Sequence, residues 1–245
     1  MSDAAASSVF RRSVLVTGGT SGIGRAIALA FADTGARVLV TGRTEAETEA
    51  WDAGDRDVAA AVLDVSRDDE IDRVVAGIET LDVLVNGAGM IVRGGGEHDP
   101  SVFARVIDVN LVGMMRVCAA CKSRLIASRG CVVNIASMLS FFGSAAAPAY
   151  SASKGGVAQL TKSLAIAWAA DGVRVNAIAP GWIETPLTAP LVADPLRSRD
   201  IVQRTPLGRW GQPSDVAGAA IFLCSPAAAF ITGVVLPVDG GYSIA

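Results

Sequence analysis

Short runs of apolar residues, each closed off by glycine, proline or charge, recur along the chain at Val14–Thr17, Arg37–Thr41, Val58–Leu63, Val83–Asn86, Cys131–Ala136, Arg174–Ile178 and Val234–Pro237. They are too short for stable helices and rich in β-branched residues, so they predict strands. The intervals repeat apolar positions with a helical period and predict helices over Gly22–Asp33, Arg67–Glu79, Ser101–Ala127, Tyr150–Asp171 and Pro213–Leu223. Strands that are apolar throughout, rather than alternating, belong to a sheet covered on both faces. The expected fold is therefore α/β: one doubly wound domain over residues 1–245 with a mostly parallel, seven-stranded sheet. Right-handed crossovers put the strands' C-terminal ends on one side, where such sheets bind ligands. Thr17, Asn86, Ser137 and Pro180 all fall at or just after those ends and predict one cleft.

Two irregular stretches stand out. Arg93-Gly94-Gly95-Gly96 predicts a flexible loop, and residues 184–204, long and proline-bearing after the sixth strand, are a candidate substrate lid. Residues 1–10 are expected to be flexible.

Composition narrows the function. Of 245 residues, 51% are hydrophobic and 18% charged, enough for one large core. A formal charge of −3 gives no electrostatic case for nucleic acid or an anionic membrane. The uncharged stretches Gly130–Ser153 and Val216–Val238 are broken by Asn134, Pro148 and Ser225-Pro226, so neither predicts a membrane span. Met1–Ser8 lacks the basic-then-apolar order of a secretory signal, and a cytoplasmic protein is expected. His98 is the only histidine, which leaves no Ser–His–Asp triad and no histidine-based zinc site. Cys118-Ala-Ala-Cys121 lies inside a predicted helix without a second ligand pair; its thiols read as buried apolar groups, and no metal is expected.

Chemistry concentrates in two places. Ser13-Val14-Leu15-Val16 runs into Thr17-Gly18-Gly19-Thr20-Ser21-Gly22-Ile23-Gly24 and then a helix, the context of a dinucleotide-binding turn. Gly18 permits the tight turn, Gly22 the approach of a pyrophosphate and Gly24 the packing of helix on strand; the helix start offers unpaired N–H groups to phosphate. Further on, Tyr150 and Lys154 are one helical turn apart, with Ser137 upstream at a strand end. A phenol with a pKa of about 10 shuttles protons near neutrality only if a cation stabilises its anion, and a lysine at i+4 can supply that cation. Ser137 adds a neutral donor for a carbonyl oxygen.

These residues, with Asp64-Val65, Asn86-Gly87-Ala88-Gly89, Asn110 and Pro180-Gly181, resemble the short-chain dehydrogenase/reductase family from about Arg11 to the C-terminus. The resemblance implies a Rossmann-type fold and hydride exchange with a secondary alcohol or its ketone, such as a sugar acid, a polyol or a 3-oxoacyl compound. It implies that Tyr150 is the general acid or base, that Lys154 also holds the nicotinamide ribose, that Ser137 polarises the substrate oxygen and that Asn110 supports a proton relay to water. It assigns the cofactor to Gly18, Thr20, Ser21, Gly22, Ile23, Gly24, Asp64, Val65, Asn86, Ala88, Gly89, Tyr150, Lys154, Pro180, Gly181, Ile183 and Thr185. Gly87 departs from the family by replacing a second asparagine. For Asp64, helix N-capping is an alternative to adenine binding.

Gly42 occupies the position where NAD enzymes carry a carboxylate, and Arg43 beside it can pair with a 2′-phosphate, so NADP is expected, with NAD as the alternative. Ile91, Arg93, Met138, Leu139, Phe142, Trp182 and Leu187 are candidate substrate contacts. The resemblance further implies a homotetramer assembled through Ser101–Ala127, Tyr150–Asp171 and the C-terminal Val238-Asp239-Gly240-Gly241-Tyr242. A catalytically inactive nucleotide sensor on the same fold is the alternative function; such proteins typically lack the tyrosine or the lysine, and both are present.

Overall fold

The computed structural model describes residues 11–245; the expected flexibility of residues 1–10 lies outside them. Strands β1 (Ser13–Thr17), β2 (Arg37–Gly42), β3 (Val58–Val62), β4 (Val83–Asn86), β5 (Cys131–Ile135), β6 (Arg174–Pro180) and β7 (Val235–Val238) form one sheet in the order β3-β2-β1-β4-β5-β6-β7. Every neighbouring pair is parallel, which sharpens the expected mostly parallel sheet.

Alternate residues of each central strand feed opposite cores, as the two-residue period of a strand requires. Leu15, Leu84 and Val132 pack on one side with Val117, Leu125 and Val157. Val14, Val16, Val83, Val85 and Val133 pack on the other with Ile27, Phe31 and Val216. The first layer is helices α3 (Asp68–Ala76), α5 (Gly113–Ser128) and α6 (Pro148–Trp168); the second is α1 (Gly22–Asp33) and α9 (Pro213–Leu223). Because β1 lies between β2 and β4, the chain reverses winding direction there, and the crevice opens at the C-terminal ends of β1 and β4.

Several boundaries differ from expectation. The predicted helix Ser101–Ala127 is divided into α4 (Pro100–Ile107), a π-helical turn at Asp108–Val112, and α5. Asp99 caps α4 by accepting from Ser101 N and Val102 N, and the wider turn carries Asn110 inward to full burial. Helix α2 (Glu45–Glu49), unforeseen because it buries nothing, is held by Thr44 Oγ1 accepting from Glu47 N. Helix α6 begins at Pro148, ahead of Tyr150. Residues 184–204 carry α7 (Ala189–Val192) and α8 (Pro195–Arg204). In Arg93-Gly94-Gly95-Gly96, expected as a flexible loop, Gly94 and Gly95 adopt φ of 71° and 79°.

Candidate active site

A cavity of about 700 Å³ occupies the crevice. At one end β1 enters the glycine turn. Gly18 has a left-handed φ of 63°, and a Cβ there would lie 2.8 Å from Ala88; a Cβ on Gly24 would clash with the Gly18 carbonyl oxygen. The turn is thus closed against the loop after β4, which Thr17 Oγ1 secures by accepting from Gly87 N and Ala88 N. Ser21 occupies the N-cap of α1 without a side-chain cap bond, so the first-turn N–H groups stay open toward the cavity. That is a cradle for a diphosphate.

Next to it, Arg43 and Asp64 line the same cleft. Asp64 is not a helix cap: its Oδ1 accepts from Ser66 N and Ser66 Oγ, and α3 begins later, at Asp68. Burial pushes its carboxyl up, but the Ser66 bonds and the Arg43 charge outweigh that and hold it below the ordinary value. Position 42 cannot take a larger residue cheaply, since a Cβ there would lie 2.9 Å from Glu47 Cβ and 3.0 Å from Thr20.

The reactive end is built from β5 and α6. Ser137 follows β5, and its Oγ accepts from Leu139 N at 3.1 Å, which leaves the hydroxyl proton free to donate. Ser140 ties this turn to α6, accepting from Ser137 N and donating to Lys154 O at 2.7 Å. Lys154 is 4% exposed; Nζ donates to Ile135 O at 2.6 Å and lies 5.5 Å from the Tyr150 ring centre. Burial lowers the Lys154 pKa to about 8. The expected acidification of Tyr150 by Lys154 is not found. Burial pushes the phenol up to about 12, and the opposing influences are a Ser137 hydrogen bond and the Arg93 guanidinium, while Glu97 pushes it further up. With one N–H on Ile135 O, the Lys154 ammonium keeps two further donors beside the Tyr150 ring.

Asn110 is held at both ends of its side-chain amide. Its Oδ1 accepts from Met90 N at 2.7 Å, and its Nδ2 donates to Met90 O and Ser153 Oγ. It pins the loop after β4 to α6.

Gly18, Thr20, Ser21, Gly22, Ile23, Gly24, Val65, Ala88, Gly89, Tyr150, Lys154 and Thr185 join Arg43 and Asp64 in lining the cavity, as expected. Asn86, Pro180, Gly181 and Ile183 do not. Asn86 turns beneath the sheet and donates to Asn134 Oδ1 and Cys118 Sγ. Gly181 packs on Asp239, and Ile183 is buried with its backbone bridged to Gly211. Ile183 and Trp182 instead border a second cavity of about 560 Å³ beside Asp239. Of the proposed substrate contacts, Ile91 and Leu187 line the main cavity, whereas Phe142 and Trp182 pack against Tyr242. Arg93 reaches across the mouth to donate from Nη2 to Leu187 O at 2.9 Å. The four cysteines are free and buried, and burial lifts the Cys118 and Cys121 thiols to about 12, as befits apolar fillers. Among the described residues, no cluster of metal-ligating side chains occurs and no helix is long and apolar enough to cross a membrane.

Sequence reasoning missed Glu97, whose carboxylate is fully buried beside Tyr150. A glutamate after three glycines carries no mark separating it from a surface residue.

A family model described as enoyl-(acyl carrier protein) reductase matches residues 18–243. The chain is 41% identical over 239 residues to 2-dehydro-3-deoxy-D-gluconate 5-dehydrogenase of Bacillus subtilis (strain 168), covering 94% of each. It is 41% identical over 244 residues to cis-4-hydroxycyclohexanecarboxylate dehydrogenase of Sinomonas cyclohexanicum, covering 95% of this chain and 96% of the other. Among solved structures, a gluconate 5-dehydrogenase from Burkholderia cenocepacia J2315 in complex with NADP and tartrate superposes with a TM-score of 0.89 at 35% identity, covering 96% of both chains. The chain belongs to the short-chain dehydrogenase/reductase family. It is an oxidoreductase acting on CH–OH groups, which sets aside the inactive-sensor alternative.

Proposed function

We propose that this enzyme interconverts a secondary alcohol and its ketone on a small hydroxy acid of the sugar-acid class, with NADP as cofactor. The observation that carries the substrate class is Arg93. Its guanidinium spends one donor on Leu187 O at the cleft mouth and lies close enough to Tyr150 to favour a negative charge there. A planar fork with donors to spare, close to Tyr150, suits a carboxylate. The relatives named for hydroxy-acid substrates and the tartrate-bound structure support the same class.

Bound NADP(H) supplies the hydride. The open N–H groups at the start of α1 would hold its diphosphate, and Arg43 would pair with its 2′-phosphate. Tyr150 keeps its proton until the substrate oxygen develops charge, then donates it; in oxidation it accepts one. Ser137, its acceptor side already filled by Leu139 N, donates to the same oxygen. Asn110 keeps the loop bearing Arg93 fixed on α6.

Turnover with a panel of hydroxy acids, uncharged polyols and 3-oxoacyl thioesters tests this reading. Acids are expected to give the highest kcat/KM. Arg93→Met should raise KM for the acid about 10- to 100-fold, the loss expected for a hydrogen bond to a charged group, and change KM for uncharged polyols far less. A preference for polyols that survives Arg93→Met would defeat the acid assignment. Arg43→Ala should weaken NADP by about tenfold or more and leave NAD unchanged; equal losses for the two cofactors would count against NADP.

The enzyme is proposed to be a cytoplasmic homotetramer. Apolar side chains on the outer faces of α4 and α6 support the assembly: Phe103 is 37% exposed and Ile166 81%. Light scattering should return four times the 25.0 kDa chain mass, and a monomer would contradict it.

A further inference from the structure

Helix α6 carries the two reactive side chains, yet its start is poorly provided for. Ala147 sits at the N-cap with no side-chain acceptor, and Pro148 opens the helix. The N–H of Tyr150, in the first turn, therefore needs a partner from elsewhere. Glu97 supplies it: Oε2 accepts from Tyr150 N at 2.9 Å. The other oxygen, Oε1, accepts from Val92 N at 2.9 Å, next to Arg93. The residue is 0% exposed, and among the described residues no cation pairs with its carboxylate. Burying a carboxylate on two backbone bonds is costly, and the positive end of α6 offsets part of that cost.

The approach to this position is shaped for it. Gly94 and Gly95, both at positive φ, fold the chain back on itself, and Gly96 passes so close that a Cβ would lie 3.0 Å from Val92 Cγ1. Beyond Glu97, the His98 ring bonds Ala145 O at 3.0 Å in the loop entering α6, and Asp99 caps α4. Three consecutive side chains thus fasten the loop after β4, the start of α6 and the start of α4.

We propose that Glu97 is a positioning residue for the reaction: its buried carboxylate, gripped by one N–H from each side, fixes the phenol of Tyr150 relative to the loop that presents Arg93 to substrate. This rests on the role given to Tyr150 above. A surface cap would stabilise the helix only; a two-sided buried clamp between the proton donor and the substrate loop sets a catalytic distance. A glutamine in its place offers one acceptor and one donor, so one of the two N–H groups must face an NH₂ group. An aspartate keeps two acceptors but is one methylene shorter.

Wild type, Glu97→Gln and Glu97→Asp are compared for turnover of a hydroxy acid, for NADPH affinity by fluorescence titration, and for amide hydrogen exchange. Misplacing a reacting group by an ångström costs about 100-fold in rate. Glu97→Gln is therefore expected to lose about 10- to 100-fold in kcat, with NADPH affinity within about twofold of wild type, and Glu97→Asp should fall between the two. Exchange should quicken at the amides of Val92 and Tyr150 and stay unchanged across the rest of the sheet. The clamp is refuted if Glu97→Gln keeps wild-type kcat, if it matches or exceeds Glu97→Asp, or if its loss comes with exchange rising throughout the domain. Absence of turnover in the wild type would instead defeat the proposed reaction, while the two local amides would still report on the clamp.

Discussion

Tyr150→Phe is expected to lower kcat by about 10²- to 10⁴-fold, the usual contribution of a positioned acid or base, while NADPH binding is retained. The change removes one hydroxyl and keeps the ring that packs beside Lys154, 5.5 Å from its ammonium. The phenol, pushed up to about 12 by burial, is protonated throughout the neutral range, so the wild-type enzyme is poised as an acid for ketone reduction. Alcohol oxidation needs the phenolate and should accelerate as pH rises toward that value. Steady-state rates in both directions over about pH 6 to 10 check this. A variant with kcat within a few fold of wild type would show that the proton travels by another route.

Much of this architecture could be read from the residues. Strands such as Val83–Asn86 and Cys131–Ile135 are buried on both faces, so their apolar runs were unambiguous. The glycine turn was equally legible, because each glycine answers a backbone approach made within one strand–turn–helix unit. What eluded the sequence depends on contacts between distant segments. The π-helical turn at Asp108–Val112 leaves the amphipathic pattern of the predicted long helix unbroken. The tyrosine–lysine spacing implied a cation acting on the phenol, but which acceptor the ammonium takes is decided by the Ile135 carbonyl on a different strand. The family resemblance made Asn86 a cofactor contact, yet its side chain falls on the covered face and bonds Asn134.

Lys154→Met is expected to stabilise the fold while disabling the enzyme. Burial lowers the folded-state pKa of Lys154 to about 8, below the unfolded value of about 10.4. A cation depressed in this way penalises folding fully at pH below 8, and the penalty fades as pH rises through 8 toward the unfolded value. The shift corresponds to about 3 kcal/mol, from which the lost bond to Ile135 O subtracts about 1 kcal/mol. Thermal melting at pH 7 should rise by roughly 4–8 °C for a domain of this size. The gain should shrink as the pH approaches 10. Turnover should fall by at least about 100-fold, since the ammonium that orders the reactive end is gone. A variant that melts at or below the wild-type temperature at pH 7 would mean the lysine is not carrying an uncompensated buried charge.

The most direct measurement follows the hydrogen itself. A ketone of the preferred hydroxy acid is reduced with NADPH carrying deuterium at both C4 positions of the nicotinamide, and the product is read by NMR. The account predicts one deuterium on the new carbinol carbon and a hydroxyl proton drawn from solvent. Reduced product without the label, or NADPH consumed with its deuterium released to water, would contradict it.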